Sequence, residues 1–237
     1  ARFDLVLPAG SKTVSRMLEM GLIKPGHYAS PGYPKLETAA ALARAEGPLF
    51  PNGRPIVLYN AHKAPGLESW SRFIEPMLAG FAADPEMNLI VAPHIKMFRR
   101  KGEAVRRRWE GRSTANVLID TGSDRLLDMS YSSAADIYVG DVSSQVYEFL
   151  ATPRPCVFLN AHKVQWRDDP SYLLWTLGDV VDDPADLMTA LRAAPGRHHL
   201  YRDRQEQLAA ASLGDRSPGA ARRAADAILT FMAEGRV

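Results

Sequence analysis

Cysteine is almost missing: Cys156 stands alone among 237 residues. A single thiol excludes an internal disulfide, and its place in the apolar run "PCVFL" reads as a buried thiol in a reducing, cytoplasmic compartment. Long apolar runs are missing as well. None approaches the roughly 18 residues that a membrane helix needs, so no spanning segment is expected. The opening "ARFDLVLPAG" has no start methionine and neither the basic nor the apolar region of a secretory signal, which suggests further sequence upstream. An excess of one charge is absent too, with 29 Lys and Arg against 27 Asp and Glu. The basic residues are not interleaved with stacking aromatics, and no nucleic-acid partner is expected. There is no His/Asp/Cys cluster at metal-ligand spacing, no G-x-x-x-x-G-K-[ST] phosphate loop and no G-x-S-x-G elbow. Neither a metal nor a cofactor is expected.

What is present is an alternation. Short apolar, β-branched runs ("FDLVLP", "PIVLY", "NLIVAP", "NVLI", "DIYVG", "PCVFL") take turns with helical patterns such as "KTVSRMLEMG", "WSRFIEPMLAGFA", "DRLLDMSYSSA" and "SSQVYEFLA". Strands that are apolar throughout, separated by helices, predict an α/β fold: a Rossmann-like parallel sheet with helices on both faces. The stretch "SPGYPKLE" interrupts this pattern with prolines and a glycine. We therefore expect three parts: the last strand and helix of an amino-terminal domain in residues 1–30, a linker in 31–54, and a complete Rossmann-like domain in 55–237. The amphipathic tail "AARRAADAILTFMAEG" is expected to pack back on the body.

The tetrapeptide NAHK occurs twice, ending at Lys63 and at Lys163. The flanks share little, so a repeat is not indicated. Both copies lie just past an expected strand, where open α/β sheets place their ligand crevice. An amide, an imidazole and an ammonium suit an anionic or sugar-like ligand. A plain strand-to-loop turn would account equally for His162 and Lys163.

The segment "AADIYVGDVSSQVYEFLATPRPCVFLN" carries the most chemistry. A strand runs into Gly140-Asp141-Val142-Ser143-Ser144 and a helix follows at once. Glycine permits the tight turn, hydroxyls cap the helix, and free backbone N–H groups offer a phosphate site. Simple helix capping by Asp141 and Ser143 would give the same pattern.

This segment resembles the A-D-x-x-I-T-D-Y-S-S-x-x-F-D-F stretch of the CDP-glycerol glycerophosphotransferases, the teichoic acid polymerase and primase family. "NLIVAPH" resembles that family's strand ending in histidine, "PIVLYNAHK" its strand entering a P-T-W-R-like loop, and "SPGYPKLE" its interdomain linker. Together these cover most of residues 28 to 195 in the correct order. Ile95 replaces the proline after the histidine, Val142 the tyrosine, and Asn60-Ala61-His62-Lys63 the P-T-W-R loop.

The resemblance implies a GT-B architecture of which this chain is mainly the carboxyl-terminal, nucleotide-binding domain. It implies that Asp141, Ser143 and Ser144, with Lys63, hold the donor's phosphates, that Glu148 reaches the ribose, and that His94 stabilises charge or moves a proton; His62 is the second catalytic candidate. The implied activity is transfer of glycerol phosphate, or a related polyol phosphate, from a CDP-activated donor to a surface-polymer acceptor. A glycosyltransferase using a nucleotide sugar, or a non-catalytic domain that binds nucleotide or anionic polymer, are the alternatives. Finally, "KMFRRKGEAVRRRW" holds seven of the 29 basic residues against Glu103 alone. Arg99, Arg100, Arg106, Arg107 and Arg108 read either as a solvated helix face or as contacts to an anionic polymer or the inner face of the cell membrane.

Overall fold

Six short strands form one sheet: β1 Ile56–Asn60, β2 Asn88–Val91, β3 Val117–Ile119, β4 Ile137–Gly140, β5 Cys156–Leu159 and β6 Asp179–Val181. All neighbours are parallel, in the order β3-β2-β1-β4-β5-β6. The computed structural model describes residues 3–235. Around the sheet lie α1 Ser11–Glu19, α2 Lys35–Glu46, α3 Trp70–Ala83, α4 Glu103–Glu110, α5 Ser130–Ala134, α6 Gln145–Phe149, α7 Leu187–Arg197, α8 Arg202–Leu213 and α9 Ala220–Ala233.

The strands are apolar because both faces are covered. Successive side chains point to opposite faces, so Val57 and Tyr59 pack with Phe73, Met77 and Phe81 of α3 and Leu187 and Leu191 of α7. Leu58, Ile90, Tyr138 and Phe158 face the other way, onto Phe149, Leu150, Trp175 and Leu177. Phe73, Phe81, Tyr138 and Phe158 are fully enclosed, and burying such a side chain stabilises the fold by roughly 1.5–3 kcal/mol. The thiol of Cys156 lies inside the second layer. Burial pushes its pKa up, which makes it a packing residue and not a reactive one.

Three segments carry structure that their sequence patterns did not show. "FDLVLP" contributes one bridge, Val6 to Tyr28, and joins no sheet. Its helix α1 packs instead against α8, through an approach that only glycine allows: a Cβ on Gly10 would lie 2.4 Å from the Ala211 oxygen, and one on Gly214 would lie 2.2 Å from the Ala9 oxygen. The segment 31–54, expected as a linker, contains α2. Pro34 precedes the first turn with φ −57° and Gly47 ends the helix at φ 72°, so the proline that reads as an interruption is in fact a start signal. The run "DRLLDMSYSSA" is not one helix. It is a 3-10 turn at Asp124–Leu126, then Met129 at φ 72°, then α5.

The tail does pack back. Phe231 of α9 is buried and meets the His27 ring edge-on at 5.7 Å. Arg223 donates to the Pro31 carbonyl at 2.9 Å, and the Ala220 N–H reaches Glu37. The carboxyl-terminal helix thus clamps residues 27–37.

Candidate active site

The strand order reverses between β1 and β4: β2 and β3 follow on one side of β1, and β4 to β6 lie on the other. A crevice opens at such a reversal, outside the carboxyl ends of the strands. The register pairs Asn60 with Gly140, so the first NAHK turn and the Gly-Asp-Val-Ser-Ser turn leave the sheet side by side. A Cβ on Gly140 would sit 2.4 Å from the Asn60 oxygen. Glycine is what lets the two turns touch.

Residues 62–69 arch over the end of β4 as a strap, and Asp141 fastens it. Asp141 Oδ2 accepts from the His62 N–H at 2.7 Å and from the Ser69 N–H at 3.0 Å. The side chain is 0% exposed and its Oδ1 is buried without a partner among the described residues. Burial, opposed by these hydrogen bonds, lifts its pKa to about 7. A carboxylate so enclosed cannot meet a phosphate. Asp141 is therefore a fastening for the His62 strap, which corrects the phosphate role expected of it.

Above this fastening His62 and His94 stand 6.2 Å apart, ring centre to ring centre, edge-on. His94 is placed by β2: its N–H donates to the Ala61 carbonyl at 2.9 Å. His62 Nδ1 accepts from the Ala64 N–H at 3.0 Å, and His94 Nδ1 accepts from the Lys96 N–H at 3.1 Å. Those two bonds assign the ring proton to Nε2 in each neutral imidazole. Both pKa values fall below the usual 6.5: for His62 through burial and then Lys63, for His94 through burial, then His62, Lys63 and Lys96. At neutral pH the pair offers two Nε2–H donors, and with Nδ1 already occupied neither ring is set up as a base. An arriving anion would raise both pKa values and turn the donors into acids.

The Ser143-Ser144 turn divides in two. Ser143 is buried, and its Oγ accepts from the Gln145 N–H at 3.3 Å, so it fixes the turn that leads into α6. Ser144 is exposed and shares one face of α6 with Tyr147 and Glu148. That helix has five residues, too few for a strong dipole. Glu148 Oε1 receives Lys35 at 2.5 Å and the Tyr33 hydroxyl at 3.0 Å. Burial and Glu148 push the Tyr33 phenol up to about 12, which keeps it a donor. The expected residues thus fall into a histidine pair with Lys63, and a cleft face with Ser144 and Glu148, joined through Asp141.

Neither a protein-family model nor a curated protein matches the sequence. Solved structures do. The wall teichoic acid polymerase TagF superposes with a TM-score of 0.70 at 11% identity, over 99% of this chain and 59% of that one. The fold is shared with TagF. A putative UDP-N-acetylglucosamine 2-epimerase from Listeria monocytogenes superposes at 0.62 and 14% identity, over 98% of this chain and 60% of its own. S. aureus MnaA, in a co-structure with UDP, does so at 0.53 and 14%, over 97% and 60%. This chain spans about three-fifths of each neighbour's length, and what they share with it is the Rossmann-like, GT-B-type architecture.

The second NAHK copy is engaged within the fold. Asn160 closes its own turn, accepting from the Val164 N–H at 2.8 Å and donating to Asp182 at 2.7 Å. His162 Nε2 meets the Glu68 carbonyl at 3.0 Å and Arg72 reaches the Ala161 carbonyl, so this copy holds the far end of the 62–69 strap. Asn60 differs, donating sideways to the Ala92 carbonyl at 2.7 Å. Of the basic residues, Arg106 reaches Thr121 and Arg107 pairs with Glu103. Arg99, Arg100 and Arg108 are exposed on the segment that begins two residues after His94. The sequence reading missed Asp120, the residue that follows β3. Burial pushes its pKa up, but hydrogen bonds from Ser123, Gly122 and Tyr131, the last at 2.7 Å, win and hold it below the usual range. It shapes the loop after β3 as Asp141 shapes the strap.

Proposed function

We propose that the chain forms the donor-binding half of a transferase that moves glycerol phosphate, or a related polyol phosphate, from a CDP-activated donor to an anionic surface polymer. The observation that supports this reading is that the His62 turn and the Gly140–Ser144 turn leave the paired ends of β1 and β4 side by side, with His94 edge-on to His62. Ser144 lies three residues beyond Asp141, whose carboxylate holds the His62 N–H. Three residues span at most roughly 11 Å, and a donor laid along this edge has its diphosphate between the two turns.

In this reading the oxygen of an acceptor hydroxyl attacks the phosphorus of the polyol phosphate, its proton passing to solvent, and the bond to the nucleoside monophosphate breaks. The electron pair leaves on the nucleotide's oxygen. Charge therefore develops on the leaving group, where the Nε2–H groups of His62 and His94 donate and Lys63 adds a point charge. Protonated by the approach of the diphosphate, either histidine can pass a proton to the departing phosphate. Glu148 Oε2 accepts a ribose hydroxyl, since both internal hydrogen bonds fall on Oε1. Arg99, Arg100 and Arg108 face the anionic acceptor as it approaches from the β2 side.

Calorimetric titration with CDP-glycerol, CDP and UDP tests the reading. Cytidine ligands should bind in preference to UDP, and His94→Ala and Ser144→Ala should each weaken that binding about tenfold. Preference for UDP ligands would favour a nucleotide-sugar enzyme, and no binding by the folded chain would refute the donor site.

A further inference from the structure

The cleft beside α6 has a second wall that the donor reading leaves unused. It encloses about 620 Å³, within the roughly 300–1,000 Å³ usual for small-ligand sites. One side is the Ser144, Tyr147 and Glu148 face of α6; the other is α1, which presents Lys12 and Arg16 one turn apart. Glu148 is the one carboxylate among the lining residues, and Lys35 already matches its charge at 2.5 Å. Among the described residues, two cations are therefore left facing the cleft with no carboxylate to match them. Lys12 is held in place: its Nζ lies 2.5 Å from the Tyr147 hydroxyl and 4.8 Å from the centre of that ring. An ammonium has three donors, so two remain for a ligand. Arg16 is exposed on the same wall, and a guanidinium matches phosphate with two parallel hydrogen bonds. Met17, Leu22 and Leu213 add an apolar stretch on which a base can lie.

We propose that Lys12 and Arg16 complete the donor site and hold the diphosphate of a nucleoside diphosphate whose ribose is read by Glu148. The inference rests on the donor reading and extends it to α1, a helix held against the body by Gly10 and Gly214. The ligand class follows from the wall: two phosphates for two cations, a hydroxyl for Glu148 and a flat apolar group for the Met-Leu stretch.

The test compares CDP with cytidine by calorimetry on the full chain, for Lys12→Ala/Arg16→Ala and for the charge-keeping Lys12→Arg/Arg16→Lys. Both sites are exposed, and unchanged circular dichroism and melting temperature confirm that the fold is kept. CDP binding should fall at least tenfold in the alanine pair and largely return in the charge-keeping pair, while cytidine binding stays the same. Binding of CDP should also lose part of its salt dependence in the alanine pair. If the unaltered chain binds CDP and the alanine pair binds it equally well, or loses cytidine to the same degree, the inference is overturned and the donor reading survives. If the unaltered chain binds neither, both fall.

Discussion

The decisive residue is Asp141, and its chemistry was only half legible in the sequence. The Gly140-Asp141 turn after a strand announced a carboxylate at the crevice. What it could not announce is that residues 62–69, far away in sequence, arch over it and close it off from solvent. The consequence is a stability profile with a definite sign. Folded, Asp141 titrates near 7; unfolded, near 3.9. Between those values the folded state binds more protons, so this residue's contribution is full below about pH 4 and declines as pH rises to about 7. His62 and His94 act oppositely, since their folded pKa values lie below 6.5 and their contribution grows as pH rises through that window. Asp141→Asn should therefore remove the decline. Its stability relative to the unaltered protein should improve by about 2 kcal/mol between pH 5 and pH 8, read from urea midpoints at the two pH values. A difference independent of pH would mean that the carboxyl group is not enclosed as described.

Among the elements, long apolar runs declared themselves and short polar-edged ones did not. β1, β2, β4 and β5 are buried along nearly their full length and read directly from their side chains. β6 is three residues, one of them aspartate, at the edge of the sheet, and it escaped notice. "FDLVLP" differs in the other direction, because apolar composition does not distinguish a sheet strand from a segment that bridges Tyr28 at one point. The glycines that hold these elements give two predictions. Gly140→Ala would force a Cβ against the Asn60 carbonyl and the Tyr138 hydroxyl, 2.4 and 3.0 Å away; it should cost about 2 kcal/mol or more and loosen the β1/β4 turns, seen as a lower melting temperature and weaker nucleotide binding. Gly214→Ala meets both a left-handed φ of 66° and the Ala9 oxygen. It should cost about 1–3 kcal/mol and speed amide exchange in α1 while leaving β1 to β5 protected.

For the molecule as a whole, the layered α/β plan was legible because a parallel sheet must be covered twice, and continuous apolar strands are the mark of that cover. The placement of the site followed from the order in which the strands assemble, which periodicity does not reveal. Once β1 and β4 are neighbours, His62, His94, Lys63 and Ser144 share one edge, although 82 positions separate residue 62 from residue 144. The central claim is that a nucleotide diphosphate binds at this reversal and is met by the histidine pair. Its most direct test is an NMR titration of the six histidines, recorded across pH with and without CDP. The account predicts that CDP moves the ring signals of His62 and His94 and raises both pKa values, while His27, His198 and His199 are unaffected. Unmoved signals for the pair, with CDP bound elsewhere or not at all, would contradict it.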